Sequence, residues 1–193
     1  TRDWPGVVLS IASLGITLIS EDKDQSRIRV EAGENWNNFV HWSLVHGYCG
    51  LENLVLIPGT VGAAPIQNIG AYGVEVAEFI TSVEAWDRES GTLTRLSNAE
   101  CQFGYRDSLF KNPRDRYIIT AVEFDLPRRR PHRTRPCGGA EDLATLGIES
   151  PTHSTVAEAI ARIRTRKLPN PAVIGNAGSF FKNPLVDAST MAD

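Results

Sequence analysis

GLENLVLIPGTVGAAPIQNIGAYG, residues Gly50–Gly73, is the stretch on which the reading of this 193-residue chain turns. Pro58, Gly59, Gly62 and Pro65 break its apolar run, and Gly70 and Gly73 follow among the alanines Ala63, Ala64 and Ala71. In a helix interior glycine costs about 1 kcal/mol relative to alanine and proline about 3 kcal/mol, so the composition reads as an ordered loop. Without Cβ bulk, successive N–H groups can cradle a phosphate, and small neighbours leave room for a flat ring. A generic Gly/Pro loop is more often a set of structural turns. Here the amides of Gln67 and Asn68 and the phenol of Tyr72 give the same loop ligand-binding chemistry.

Around that loop the chain has an ordinary globular composition, 41% hydrophobic and 22% charged, enough for one domain or one and part of another. A net charge of -3 gives no general reason to expect nucleic acid or an anionic membrane as partner. Cys49, Cys101 and Cys137 are odd in number and lack CxxC spacing, so neither a disulfide framework nor a metal site is expected. Reduced thiols in a cytoplasmic protein are the default expectation. No apolar run approaches the ~20 residues of a membrane span, and TRDWPGVVLS does not read as a signal peptide.

Upstream of the loop, VVLSIA, GITLIS and RIRVEA read as short strands, the last with Ile28, Val30 and Ala32 alternating with polar residues. EDKDQS at 21–26 is the hairpin connection. A helix follows, capped by Asn35, with Trp36, Phe39, Val40 and Leu44 on one face and Gly47 at its end. Trp36 and Trp42 read as packing residues, and His41 and His46 as surface histidines. Downstream, Phe79–Asp87 has strand character, DRESGT is a turn, and TLTRLS is a further strand. Ser97 and Glu100 have capping-box spacing and predict a short helical turn before FGYRDS. RYIITAVEFDL, from Arg116, is the next strand.

Arg106 beside Asp107 has two readings. A surface ion pair would contribute at most about 1 kcal/mol. A permanent forked cation aimed at a developing negative charge would serve chemistry. Composition does not choose between them. PRRRPHRTRP at 127–136 lacks aromatic interleaving and reads as a solvated connector rather than a nucleic-acid patch. GGAEDLATLGIESPT reads as a short helix with a turn. From Thr155 a helix is expected, with Thr155 and Glu158 as its capping box and Val156, Ala159, Ile160 and Ile163 on its buried face. LPNP at 168–171 stops it and marks a domain boundary. In GNAGSFFKNP, residues 175–184, Ser179 sits in a glycine turn without the G-x-S-x-G elbow of a hydrolase. A hydroxyl held there could deliver a proton to a basic carbon centre.

Three of these stretches, GLENLVLIPGTVGAAPIQNIGAYG, FGYRDSLFK at 103–111 and GNAGSFFKNP, resemble in the same order the MurB-type UDP-N-acetylenolpyruvoylglucosamine reductases. The resemblance runs from about Gly6 to Pro184. It implies an α+β fold: a flavin-binding domain of the vanillyl-alcohol-oxidase-like type over residues 1–168, then the beginning of a substrate-binding domain over 169–193. It implies FAD and NADPH as cofactors, and as substrate a UDP-sugar enolpyruvyl ether reduced during peptidoglycan precursor synthesis. No nucleic-acid or membrane partner is implied, and a monomer is presumed.

Residue by residue, the resemblance gives Arg106 the enolate-stabilising role and Ser179 the proton-donating one. Gly59, Thr60, Val61, Gly62, Ala63, Gln67 and Asn68 match the loop around FAD, while Tyr72, Lys167 and Asn183 match substrate-side positions. Members of this family carry a GSN-type segment before these strands and a catalytic glutamate further on than residue 193. The chain is therefore expected to be an internal fragment. Where the subtype with a long insert has a substrate-binding tyrosine, near Cys137, this sequence is arginine-rich. Two other readings stand beside the reductase: another oxidoreductase on the same flavin fold, and a non-catalytic nucleotide-sugar or protein-binding remnant.

Overall fold

The computed structural model of the chain describes residues 5–111, 116–131, 151–169, 173–175 and 182–183. Its centre is a five-stranded antiparallel sheet in the order β1-β2-β7-β5-β6. The strands are β1 (Ile16–Glu21), β2 (Gln25–Glu31), β5 (Ile80–Asp87), β6 (Thr92–Ser97) and β7 (Tyr117–Pro127). A small ribbon of β3 (Gly70–Ala71) and β4 (Val74–Glu75) stands apart from it. The helices are α1 (Trp36–Val45) and α2 (His153–Lys167).

Strand alternation divides the sheet into two unlike faces. In register, Ile28 stands opposite Phe124 and Val30 opposite Val122, while Val83 faces Val122 from the other side. All five side chains are fully buried. Trp36 and Phe39 of α1 pack onto this face, with the Phe39 and Phe124 rings 4.9 Å apart. On the opposite face the intervening positions pair by charge. Arg27 chelates Asp125 at 2.8 and 2.9 Å, Arg29 grips Glu84 at 2.8 and 3.1 Å, and Arg95 bonds Glu123. Cross-strand pairs of this kind fix register, because a one-residue slip would place charge in the core.

Several expected elements form as read. Asn35 caps α1 by accepting from the Asn38 N–H, and Gly47 just past its end has φ +76°. The β1–β2 connection is tighter than expected, because Asp22 Oδ1 accepts from both Asp24 N and Gln25 N at 2.8 Å. Ser97 and Glu100 make the expected capping-box bonds, and Cys101 N donates to Ser97 O at 3.0 Å across the short turn they open. Two expectations need correction. The segment 7–12 forms no strand: Val7, Val8 and Leu9 are 77–85% exposed, and no described strand pairs with it. The box of α2 lies earlier than expected, at Thr152 and Thr155, because Thr152 is extended and leaves His153 as the first helical residue. Val156, Ala159, Ile160 and Ile163 are buried, on the expected face.

The basic run is more than a solvated connector at its start. Arg128 pairs with Glu21 and lies over the Tyr48 ring, and Arg130 pairs with Glu78 and lies over Phe79. Residues 132–150, with His132, Cys137 and the expected short helix, lie outside the described residues. Among the described residues no helix is long and apolar enough to cross a membrane.

Candidate functional site

The glycine-rich stretch is an ordered loop of 3-10 turns at Glu52–Leu54 and Val61–Ala63, followed by the β3–β4 ribbon. It is stitched to the segment between β2 and α1. Gly62 N donates to Ala32 O, Val61 N to Glu34 O and Trp36 N to Gly59 O at 2.9–3.1 Å, and Leu56 N donates to Asn37 Oδ1 at 2.8 Å. A Cβ on Gly62 would stand 2.6 Å from Ala32 Cβ, so glycine lets the loop lie flush on the end of the sheet. Its outward side is Pro58, Gly59, Thr60, Ala63 and Gln67, all exposed, whereas Val61 and Gly62 are buried beneath. At Gly59, with φ +126°, an added Cβ would touch, among the described residues, only Ala63 Cβ at 3.9 Å. The result is an open shelf of small residues edged by a hydroxyl and an amide.

Asn68 faces the other way. It is buried, with φ +46°, and its side chain donates to Glu75 Oε2 at 2.8 Å and Gly104 O at 3.0 Å while accepting from Ala77 N at 3.0 Å. Its amide therefore joins the loop to β4 and to the FGYRDS segment, rather than lying on the shelf with Gln67. Tyr72 is half-buried with φ +51°, and its carbonyl accepts from Asn53 Nδ2 at 3.0 Å.

Arg106 does not turn to Asp107. From φ +52° its guanidinium reaches Gly70 O at 2.6 Å and Asn68 O at 3.4 Å, with Glu75 Oε1 3.7 Å away. Asp107 instead accepts from Ser108 N. Lys111 Nζ holds the Arg106 carbonyl at 2.9 Å, Arg106 also lies over the Tyr105 ring, and Lys182 Nζ stands 5.5 Å from that ring's centre. Residues from all three motifs thus meet around Tyr105 and Arg106. Ser179 lies outside the described residues; Asn183 is exposed, and Lys167 is exposed at the end of α2.

Several residues with a part here had no signal in the sequence reading. Glu52 is buried and bonds Gly50 N and His153, and Arg164 donates to Leu56 O from α2. Cys49 lies beside this turn; burial first, then the Glu52 charge, pushes its thiol up to about 11, against a smaller opposing pull from Arg130. Among the described residues no cluster of three or more His, Cys, Asp or Glu could hold a metal ion.

Residues 4–97 match a family described as FAD binding domain. Curated relatives named UDP-N-acetylenolpyruvoylglucosamine reductase align with nearly the whole chain. The one from Xanthomonas campestris pv. campestris (strain B100) is 53% identical, covering 98% of this chain and 54% of its own length. That from Pseudomonas aeruginosa is 52% identical, covering 98% and 56%. Among solved structures, UDP-N-acetylenolpyruvylglucosamine reductase (MurB) from Thermus caldophilus superposes with a TM-score of 0.56 at 27% identity, over 81% of this chain and 48% of that one. The chain spans about half the length of the curated relatives it matches.

Proposed function

The chain belongs to the family of the UDP-N-acetylenolpyruvoylglucosamine reductases, and from that premise we propose that the protein reduces UDP-N-acetyl-3-O-(1-carboxyvinyl)glucosamine to UDP-N-acetylmuramate. The reaction consumes NADPH and one proton, takes place in the cytoplasm, and supplies peptidoglycan precursor synthesis. The observation that carries the reading is the 2.6 Å bond from Arg106 to Gly70 O, which makes one unit of two motifs 36 residues apart.

The shelf fits FAD. It is open at Gly59, Thr60, Ala63 and Gln67, is flattened onto the sheet by Gly62, and offers backbone and side-chain polar groups along a surface without bulk. Bound FAD would carry the hydride from NADPH to the enolpyruvyl double bond. The chain's own residues answer the negative charge that this leaves on the substrate. Arg106 spends two donors on loop carbonyls, and guanidinium has five, so others are available to an enolate while the first two hold it in place. Ser179 Oγ delivers the proton to carbon. Asn68 supports the shelf from beneath. Tyr72, Lys167 and Asn183 take the sugar nucleotide, with the boundary between flavin-binding and substrate-binding domains near residue 169.

The test is the flavin spectrum of the full-length protein. NADPH should bleach it, and the UDP-enolpyruvyl sugar should restore it without oxygen. Ser179→Ala should slow that restoration and leave the NADPH step largely intact. A folded protein that stays colourless with added FAD would overturn the reading.

A further inference from the structure

Three consecutive residues of the Glu52–Leu54 turn reach three different elements. Glu52, with a side chain 3% exposed, accepts from Gly50 N through Oε2 at 2.6 Å and from His153 Nδ1, the first residue of α2, through Oε1 at 2.8 Å. Asn53 Nδ2 donates to Tyr72 O at 3.0 Å. Leu54 O accepts from Trp36 Nε1 of α1 at 2.9 Å. A carboxylate has only acceptors, so the imidazole Nδ1–H donates in the bond to Oε1.

We propose that His153 is a positioning residue: acting through Glu52 and Asn53, it sets the place of Tyr72 relative to α2, the helix that ends at Lys167. The proposal rests on the reading of Tyr72 and Lys167 as substrate-side residues. Its physical basis is the burial of Glu52. A carboxylate shielded from water needs a donor on each oxygen, and replacing His153 by a side chain without an N–H there makes Oε1 seek another. Glu52 has no other described donor for that oxygen, so the turn must shift toward water. Asn53 is the next residue and shifts with it. Tyr72 is held at φ +51°, which a tyrosine adopts only when its surroundings impose it, so a displaced Asn53 loosens that conformation. α2 itself stays packed through Val156, Ile160 and Ile163.

The test compares His153→Leu, His153→Asn and Asn53→Ala in the full-length protein, by hydrogen exchange without substrate and by steady-state kinetics. His153→Leu should speed amide exchange across residues 70–76 about fivefold. It should also raise KM for the sugar about fivefold while kcat and the NADPH step stay within about twofold. His153→Asn, which keeps a side-chain N–H near the Nδ1 position, should restore both. Asn53→Ala should match His153→Leu, and the double variant should add nothing further. Unchanged exchange at 70–76 in a folded His153→Leu protein would overturn the proposal, as would an Asn variant no better than the Leu one. If His153→Leu does not fold, His153→Gln, whose longer arm misplaces the donor, takes its part with the same outcomes. A parent protein inactive on the sugar would defeat the reductase reading, while the exchange measurements would still decide the positioning.

Discussion

Replacing Asn68 with alanine separates support of the loop from direct contact with cofactor. The residue is buried, and its amide makes three bonds, to Glu75, Gly104 O and Ala77 N. Alanine removes all three, and each buried partner left unsatisfied costs roughly 1–3 kcal/mol. Glu75 retains Arg106 nearby, so the loss falls mainly on Ala77 N–H and Gly104 C=O. Holding alanine at φ +46° adds about 1 kcal/mol. The sum is about 3–7 kcal/mol, and for a chain of this length 1 kcal/mol moves Tm by about 2–4 °C. A fall of about 10 °C is expected in FAD-free protein. Asn68→Gly relieves only the backbone part and should lie a few degrees above Asn68→Ala. Thermal melts of FAD-free protein, followed by flavin titration, make the measurement. If the FAD-free melt moves by less than about 2 °C while flavin affinity collapses, Asn68 is a cofactor ligand and the supporting role assigned to it is wrong.

Gly62→Ala would place a Cβ 2.6 Å from Ala32 Cβ and 3.1 Å from Ala32 O. It should cost about 1–3 kcal/mol and weaken flavin binding by lifting the shelf, with partial rescue by Ala32→Gly, read from melts and flavin titration. Asp87 is held down to about 2, first by its bidentate bond from Arg116, which outweighs the opposing push of burial, with smaller pulls from backbone donors. A carboxyl depressed in the folded state stabilises above its unfolded value of 3.8 and loses that contribution as pH falls toward 2. Asp87→Asn should therefore flatten the stability profile between those pH values, and an unchanged acid limb would refute the assignment. Burial pushes the Cys101 thiol up to about 12 and Cys49 up to about 11. Both should react with a thiol reagent at pH 8 only as fast as the protein opens, so alkylation mapped by mass spectrometry should accelerate in step with denaturant; fast labelling of either in native buffer would count against the burial.

What the sequence disclosed was local. Ile28 and Val30 alternate because one face of β2 meets the core, and the period shows without knowledge of the partner strand. Asn35 caps α1 within three residues of its own position, and the buried face of α2 follows from spacing alone. The glycine-rich loop was legible as a loop because Pro58 and Gly59 exclude the alternatives. Errors arose where the outcome depended on a partner. VVLSIA has the composition of a strand, but a strand exists only against a neighbour's ladder, and among the described residues none stands beside it. Thr155 and Glu158 have capping spacing, yet Thr152 competes for the same helix start, and two overlapping boxes cannot be ranked by pattern.

The site shows the same limit more sharply. Arg106 next to Asp107 invites an ion pair by adjacency, but neighbouring residues in a turn seldom point at one another. The guanidinium goes to the carbonyls of Gly70 and Asn68, while the half-buried Asp107 carboxylate is occupied by Ser108 N. Asn68 and Gln67, identical in chemistry on paper, divide because φ +46° at Asn68 turns its side chain under the loop while Gln67 stays exposed. Neither outcome could be read without knowing that Gly104 and Ala77 end up beneath residue 68. Asn68 and Tyr72, held at positive φ in one loop, present carbonyls that Arg106 and Asn53 reach. Strain in this loop and the placement of its cation are therefore a single arrangement. A substitution that relaxes one, such as Asn68→Gly, must release the hold on Arg106 even though it leaves the arginine itself untouched.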